Sequence, residues 1–327
     1  MRLIKTGTKR GNWLVTILLL MTMAAGVGLI AYPSFSEYWN SVHQSNVVMS
    51  YAENVAKINT EEYEGILNEA RRYNAELAER GLNLVLSKEE KKEYQEQLNI
   101  DDSGIIGYIR IKKINVMLPI YHGTEERVLI DSVGHLEGSS LPVGGANTHC
   151  ILSGHRGLPS AKLFTDLDRL RIGDTFILTV LNETLTYEVD NISVVEPSDL
   201  SRLEIEEGQD YCTLVTCTPY GVNTHRLLVR GRRISNSDGR VMVVADAIQV
   251  PPMNTVPFIA LVPLILMTGL FLLNVVITHR KVKSYKEQYL NEKKLQAPDI
   301  RSRSKKLQSV REITEHRSID HFFKKKR

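Results

Sequence analysis

The 327-residue chain is poor in cysteine and in chain-breaking residues, with three Cys, 11 Pro and 21 Gly. Three cysteines cannot build a disulfide framework over this length, and their odd number leaves at least one thiol free or intermolecular. Pro and Gly at about a tenth of the residues exclude collagen-like and Pro/Gly low-complexity classes. No internal repeat is found. The length has room for about two domains of roughly 150 residues each, so a buried core is affordable. The formal net charge of +3 hides a strong segregation.

Charge is missing altogether from residues 11–35 and 247–278. The apolar bodies of these stretches, 13–31 and 256–277, are long enough to cross about 30 Å of hydrocarbon as helices. The residues before the first carry +4 (Arg2, Lys5, Lys9, Arg10), and the tail 279–327 carries +10, which leaves −11 for residues 11–278. Lys/Arg excess marks cytoplasmic flanks. Both termini are therefore expected in the cytoplasm, with the acidic middle outside. A cleaved signal peptide is the competing reading of the first stretch; its apolar length favours an uncleaved anchor. Pro257 and Pro263, and the basic residues after Thr278, favour a membrane span over a buried helix for the second. The tail has no zinc spacing, aromatic-rich RNA motif or helix-turn-helix pattern, so nucleic acid is not expected as a partner. Anionic lipid or plain solvation accounts for it.

Residues 36–100 read as helical. The stretch 60–81 is rich in helix formers, starts acidic after Thr60 as cap and ends at Gly81. Ser87 and Glu90 fit a capping box for a helix from Lys88 to about Leu98. Hydrophobics are sparse enough that these helices should lie on another domain. From about Ser103 the texture changes to short β-branched and aromatic runs at 105–111, 115–121, 148–154, 174–180, 185–196, 210–217 and 225–234, separated by turn residues. Many short strands imply an antiparallel-rich barrel or sandwich. The expected layout is a cytoplasmic start and anchor at 1–35, a helical segment at 36–100 and a β domain at 101–235. A linker at 236–255, a span at 256–278 and a basic tail at 279–327 complete it.

Three residues at strand ends can carry chemistry. Cys217 closes a strand and enters the turn Thr218-Pro219-Tyr220-Gly221; Arg226 begins the next strand nine residues later; His155 ends the strand from Thr148. A thiolate is a nucleophile, an imidazolium can donate to a leaving amine, and a guanidinium, always charged, can hold an oxyanion or clamp the substrate. If the three converge, the chemistry is acyl transfer. The competing reading makes Cys217 a buried small hydrophobe and the other two surface residues.

The run TLVTC at 213–217 resembles the TLxTC signature of sortases, the Gram-positive cell-surface transpeptidases. TPYGVNTHRLLVRG (218–231), GHLEGSSLP (134–142), SGHRGLP (153–159) and KLFTDL (162–167) are similar to the class C, pilus-assembling branch, over about residues 60–235. Two terminal hydrophobic spans also resemble that branch. The resemblance implies a mainly β fold, the eight-stranded sortase barrel, preceded by a helical segment and flanked by two transmembrane helices. It implies Cys217 as nucleophile, His155 as general acid/base and Arg226 as oxyanion or substrate-positioning residue. Its substrate would be an LPxTG-like sorting signal cut between Thr and Gly, and its acceptor a pilin lysine amine. No metal or organic cofactor is expected. The alternatives are attachment of surface proteins to a cell-wall acceptor, or a non-catalytic barrel that binds sorting signals.

One departure stands out. Class C sortases usually carry a lid with an Asp-Pro-aromatic motif before the barrel, and 81–90 (GLNLVLSKEE) contains neither that motif nor a proline. A lid here would have an apolar plug in 82–86; otherwise the site is open. Cys150 precedes His155 by five residues, as Cys212 precedes Cys217. If the family fold sets those strands side by side, the two sulfurs lie at one height, facing the core. Buried free thiols are favoured over a Cys150–Cys212 disulfide. His149 and His225 are expected to be structural or groove residues, and Arg156 and Arg230 ion-paired scaffold.

Overall fold

The computed structural model describes residues 9–236, 256–296 and 307–311. The chain divides into two compact units, Met1–Leu261 and Val262–Arg327. The expected linker, apart from residue 236, lies outside the described residues, as does most of the basic tail.

Helix α1, Lys9–Val55, runs far beyond the uncharged stretch. Among the described residues, Ile17–Val55 is the one helix long and apolar enough to cross a membrane, and its apolar window is not buried in the protein. Its last turns bury Val48, Tyr51 and Val55 in the core, and the Tyr51 hydroxyl donates to the Ile106 carbonyl and accepts from the Leu181 N–H. Helix α2, Thr60–Arg80, is capped by Asn59, one residue before the expected Thr60. Asn59 is extended and its Oδ1 accepts from the Glu62 N–H at 2.9 Å, while Thr60 is already helical. Gly81, with φ of 77°, ends it. One face, Leu67, Ala70, Tyr73, Asn74 and Leu77, is buried. The Asn74 amide both donates to the Leu141 carbonyl and accepts from its N–H, tying the helix to the β domain as a sparse apolar stripe requires. The capping box of α3, Lys88–Glu96, forms as expected, although the helix stops short of Leu98, whose φ is 53°.

Eight strands close a barrel in the order β1-β2-β3-β4-β7-β8-β6-β5. They are β1 (Ile105–Ile111), β2 (Val116–His122), β3 (Val133–His135), β4 (Thr148–Ser153), β5 (Thr175–Val180), β6 (Glu183–Val195), β7 (Asp210–Thr218) and β8 (His225–Ile234). Seven follow the sequence signals to within two residues at each end. β3 does not: three residues are too few to display an alternation, and its pairing is supplied by the fold. Pairing is antiparallel except at β2–β3 and β4–β7. A four-residue helix, α4 (Glu126–Leu129), stands between β2 and β3. Phe176 and Tyr187 stack inside the barrel at 5.5 Å. Gly231 opposite them is necessary, because a Cβ there would stand 2.6 Å from the Phe176 ring. The segment expected as a second span begins the separate helix Val256–Gln296, which holds Pro263 within it.

Candidate active site

Strand register assembles the three residues. In the β7–β8 hairpin Cys217 lies directly opposite Arg226, Val215 opposite Leu228 and Thr213 opposite Arg230. On the other side of β7 the parallel pairing sets Ile151 against Thr213 and Ser153 against Val215. The pairing continues past the end of β4: the Gly154 N–H donates to the Val215 carbonyl at 3.1 Å, and the Thr216 hydroxyl to the Gly154 carbonyl at 2.7 Å. One step further along both chains brings His155 level with Cys217. The result is a row, His155–Cys217–Arg226, across three adjacent strands. Alternation puts it outside: Cys150, Leu152, Cys212 and Leu214 belong to the interior cluster, so residues one position off face outward.

Cys217 is half-buried and a free thiol. His155 Nε2 is buried without a hydrogen-bond partner. The Glu126 carboxylate of α4 comes within 3.5 Å of it but lacks hydrogen-bond geometry. Arg226 Nη1 donates to the backbone carbonyls of Asn223 and His225, at 3.4 and 3.2 Å, and among the described residues no carboxylate pairs with it. A thiol, an unengaged imidazole nitrogen and an uncompensated guanidinium thus stand together. Glu126 had no sequence signal, being 29 residues before His155 in a helix too short to read.

The neighbours hold this row in place. Arg156 ion-pairs with Asp168, donates to the Thr218 hydroxyl at 3.3 Å and lies 5.9 Å from the Tyr220 ring centroid. It joins the turn after His155 to the turn after Cys217. Arg230, on the same face two rungs away, pairs with Asp190 and Glu206 at 3.0 Å each and stacks 4.0 Å from the Tyr211 centroid. Both arginines are the ion-paired scaffold expected. His149 bonds the Glu204 carbonyl and the Thr213 hydroxyl, each at 2.7 Å, and burial lowers its pKa. His225 is exposed, bonded to Thr224. Cys150 pairs in register with Cys212 inside the barrel. Both are free thiols, and burial pushes the Cys212 pKa well up.

Beside the row lies a buried apolar cluster of Ile151, Val195, Leu203 and Leu228, with Leu136 and Val215 packed against it, which would open as a groove if Leu82 were lifted away. The α2–α3 connection crosses it. Leu82 packs into this cluster, and Leu86 packs on the main core. Burial alternates along the strap, with residues 82, 84 and 86 half-buried and 83 and 85 exposed. The Asn83 carbonyl lies so tightly on Gly138 that a Cβ there would overlap it. The segment 82–86 therefore lays one aliphatic side chain, Leu82, over this cluster.

Comparison with known proteins agrees with this geometry. Residues 109–234 match the family described as Sortase domain. Sortase D of Bacillus subtilis (strain 168) is 31% identical over 132 residues, a match spanning 39% of this chain and 64% of that protein. The solved sortase C1 of Streptococcus agalactiae is 54% identical with a TM-score of 0.58, over 58% of this chain and 99% of that one. The sortase C of Streptococcus pneumoniae, described as informative on catalysis and pilin substrate specificity, is 43% identical with a TM-score of 0.53, over 58% and 97%. Such identity over nearly the whole of two solved domains, on the same eight-stranded barrel, is a shared ancestry: the chain belongs to the sortase family, with class C sortases among its structural relatives.

Proposed function

We propose that this protein is a membrane-anchored cysteine transpeptidase that cuts an LPxTG-like sorting signal between Thr and Gly and joins the acyl part to a pilin lysine. The reading is supported by register: Cys217 lies opposite Arg226, and the Gly154–Val215 and Thr216–Gly154 hydrogen bonds carry the β4–β7 pairing up to the residue before His155. The Cys217 thiolate attacks the threonine carbonyl carbon, and Arg226 stabilises the oxyanion that forms. His155 protonates the departing glycine amine as the C–N bond breaks, leaving a thioester on Cys217. A lysine ε-amine then attacks the thioester, gives a proton to His155 and expels the thiolate. The products are an isopeptide bond and the starting enzyme.

The apolar groove of Ile151, Val215 and Leu228 suits the Leu-Pro part of such a signal, and the strap at 82–86 would have to leave it first. Exposed Leu18, Leu19, Met21, Leu29 and Ile30 on α1 form the kind of surface that lipid covers. The basic flanks support two spans with both termini cytoplasmic and the barrel extracellular. Incubating the full chain in detergent micelles with a pilin bearing an LPxTG-type tail tests the acceptor. Ladders that survive boiling in detergent support pilin polymerisation, whereas only monomeric product joined to a cell-wall peptide assigns the alternative acceptor.

A further inference from the structure

A cleft of about 590 Å³ opens at the turns that follow His155 and Cys217. Its wall includes Gly157, Leu158 and Pro159 from the turn after His155, and Tyr220 from the turn after Cys217. Its far wall is α1, through Pro33 and Glu37. Ser36 and Asn40 of α1 both donate to the Ser160 carbonyl, at 3.1 and 2.8 Å, fixing the helix against the β4–β5 loop. An acyl chain lying in the groove would leave its carbonyl at Cys217 and its amine side over these turns.

The charges in the cleft are unequal in availability. Lys162 Nζ is occupied by the Ile114 carbonyl at 2.9 Å and by Asp166 at 3.1 Å, and Asp166 is also held by Arg169 at 3.3 Å. Glu37 has no ion-pair partner among the described residues. It is the first charged residue after the uncharged stretch 11–35. An uncompensated carboxylate, apolar walls from Pro33, Leu158 and Pro159, and an aromatic ring at Tyr220 together fit a charged head on an alkyl stem.

We infer that this cleft is the acceptor subsite, where Glu37 holds the ammonium of a primary alkylamine before it attacks the thioester on Cys217. The inference rests on Cys217 carrying the acyl group. Held by Glu37, the amine arrives charged and gives up two protons: one to His155, left neutral by the first step, and one to solvent. The C–N bond forms as the C–S bond breaks, and the thiolate keeps the electron pair. A site at the outer end of the span is also placed to meet an acceptor that is itself attached to the membrane.

The test uses the full chain in detergent micelles, loaded with an LPETG peptide, with Nα-acetyl-lysine amide and triglycine as acceptors. Aminolysis is measured against water hydrolysis of the same thioester, which normalises each variant for loading. In Glu37→Gln the half-saturating concentration of the lysine amide should rise about fivefold, the size of one partly exposed ion pair, and Glu37→Asp should restore most of it. A shift for triglycine alone keeps the site but identifies the amine as that of a cell-wall peptide. Unchanged half-saturation for both amines overturns the inference. Failure of the unaltered chain to form any thioester overturns the proposed chemistry instead.

Discussion

If the strap covers the groove, loosening it should raise activity. Leu82 is its anchor, half-buried among Ile151, Val195, Leu203 and Leu228. Full burial of a leucine contributes about 1.5–3 kcal/mol, so a half-buried one is worth roughly 1 kcal/mol. Leu82→Ala should then increase the open fraction about fivefold, at about 1.4 kcal/mol per factor of ten. Because a substrate binds only the open form, kcat/KM should rise by the same factor while the barrel stays intact. Gly138→Ala perturbs the same contact from the opposite side, since the new Cβ would overlap the Asn83 carbonyl and push the strap backbone off. The assay is cleavage of a fluorogenic LPETG peptide by the full chain in micelles, with melting temperatures recorded alongside. Two variants that keep the wild-type melting temperature and show no gain in kcat/KM would refute a covering role for 82–86.

Three further outcomes are expected. The pKa of His122 is lowered to about 4 from 6.5, by burial first and then by nearby His135; the folded state disfavours its charged form, so its contribution to stability is full above 6.5 and is lost as pH falls toward 4. The loss between pH 7 and pH 5 is about 2 kcal/mol, buried His149 acts in the same direction, and the melting temperature of His122→Gln should fall less over that range than that of the parent, an equal fall being contrary. Alkylation under non-reducing, denaturing conditions should label Cys150, Cys212 and Cys217 alike, and a linked Cys150–Cys212 peptide would contradict the free thiols. His155→Ala and Arg226→Ala should each lower the rate of thioester formation about a hundredfold or more, roughly 2.7–4 kcal/mol being typical for one oxyanion donor, without loss of the fold; a change of only a few-fold in either would remove that residue from the chemistry.

Much of the barrel was legible because its strands are long enough to show their own composition. Strands β1, β7 and β8 stand where the β-branched runs lie. The hairpin that sets Cys217 against Arg226 was readable from their nine-residue separation. The parallel pairing of β4 with β7 was not, because 62 residues separate Ile151 from its partner Thr213 and no local pattern states which strands become neighbours. There the family resemblance supplied what spacing could not, and the equal five-residue offsets then set Cys150 level with Cys212, as the register has them. Strand β3 and helix α4 are too short for any periodicity, which hid Glu126. The Asn59 cap was missed by one residue because Thr60, also a capping type, follows it. Glu37 gave no signal either: its place beside the β4–β5 loop depends on how α1 packs against Ser160, some 120 residues away in sequence.

The proposed chemistry passes through a thioester at Cys217, and intact-protein mass spectrometry reads it directly. The full chain in micelles, quenched in acid after brief exposure to an LPETG peptide, should gain the mass of the acyl fragment ending in threonine. Proteolysis should map that mass to the peptide holding Cys217, hydroxylamine should remove it, and Cys217→Ala should never acquire it. Release of the glycine-bearing product with no adduct at Cys217, or an adduct that persists in Cys217→Ala, would contradict the mechanism.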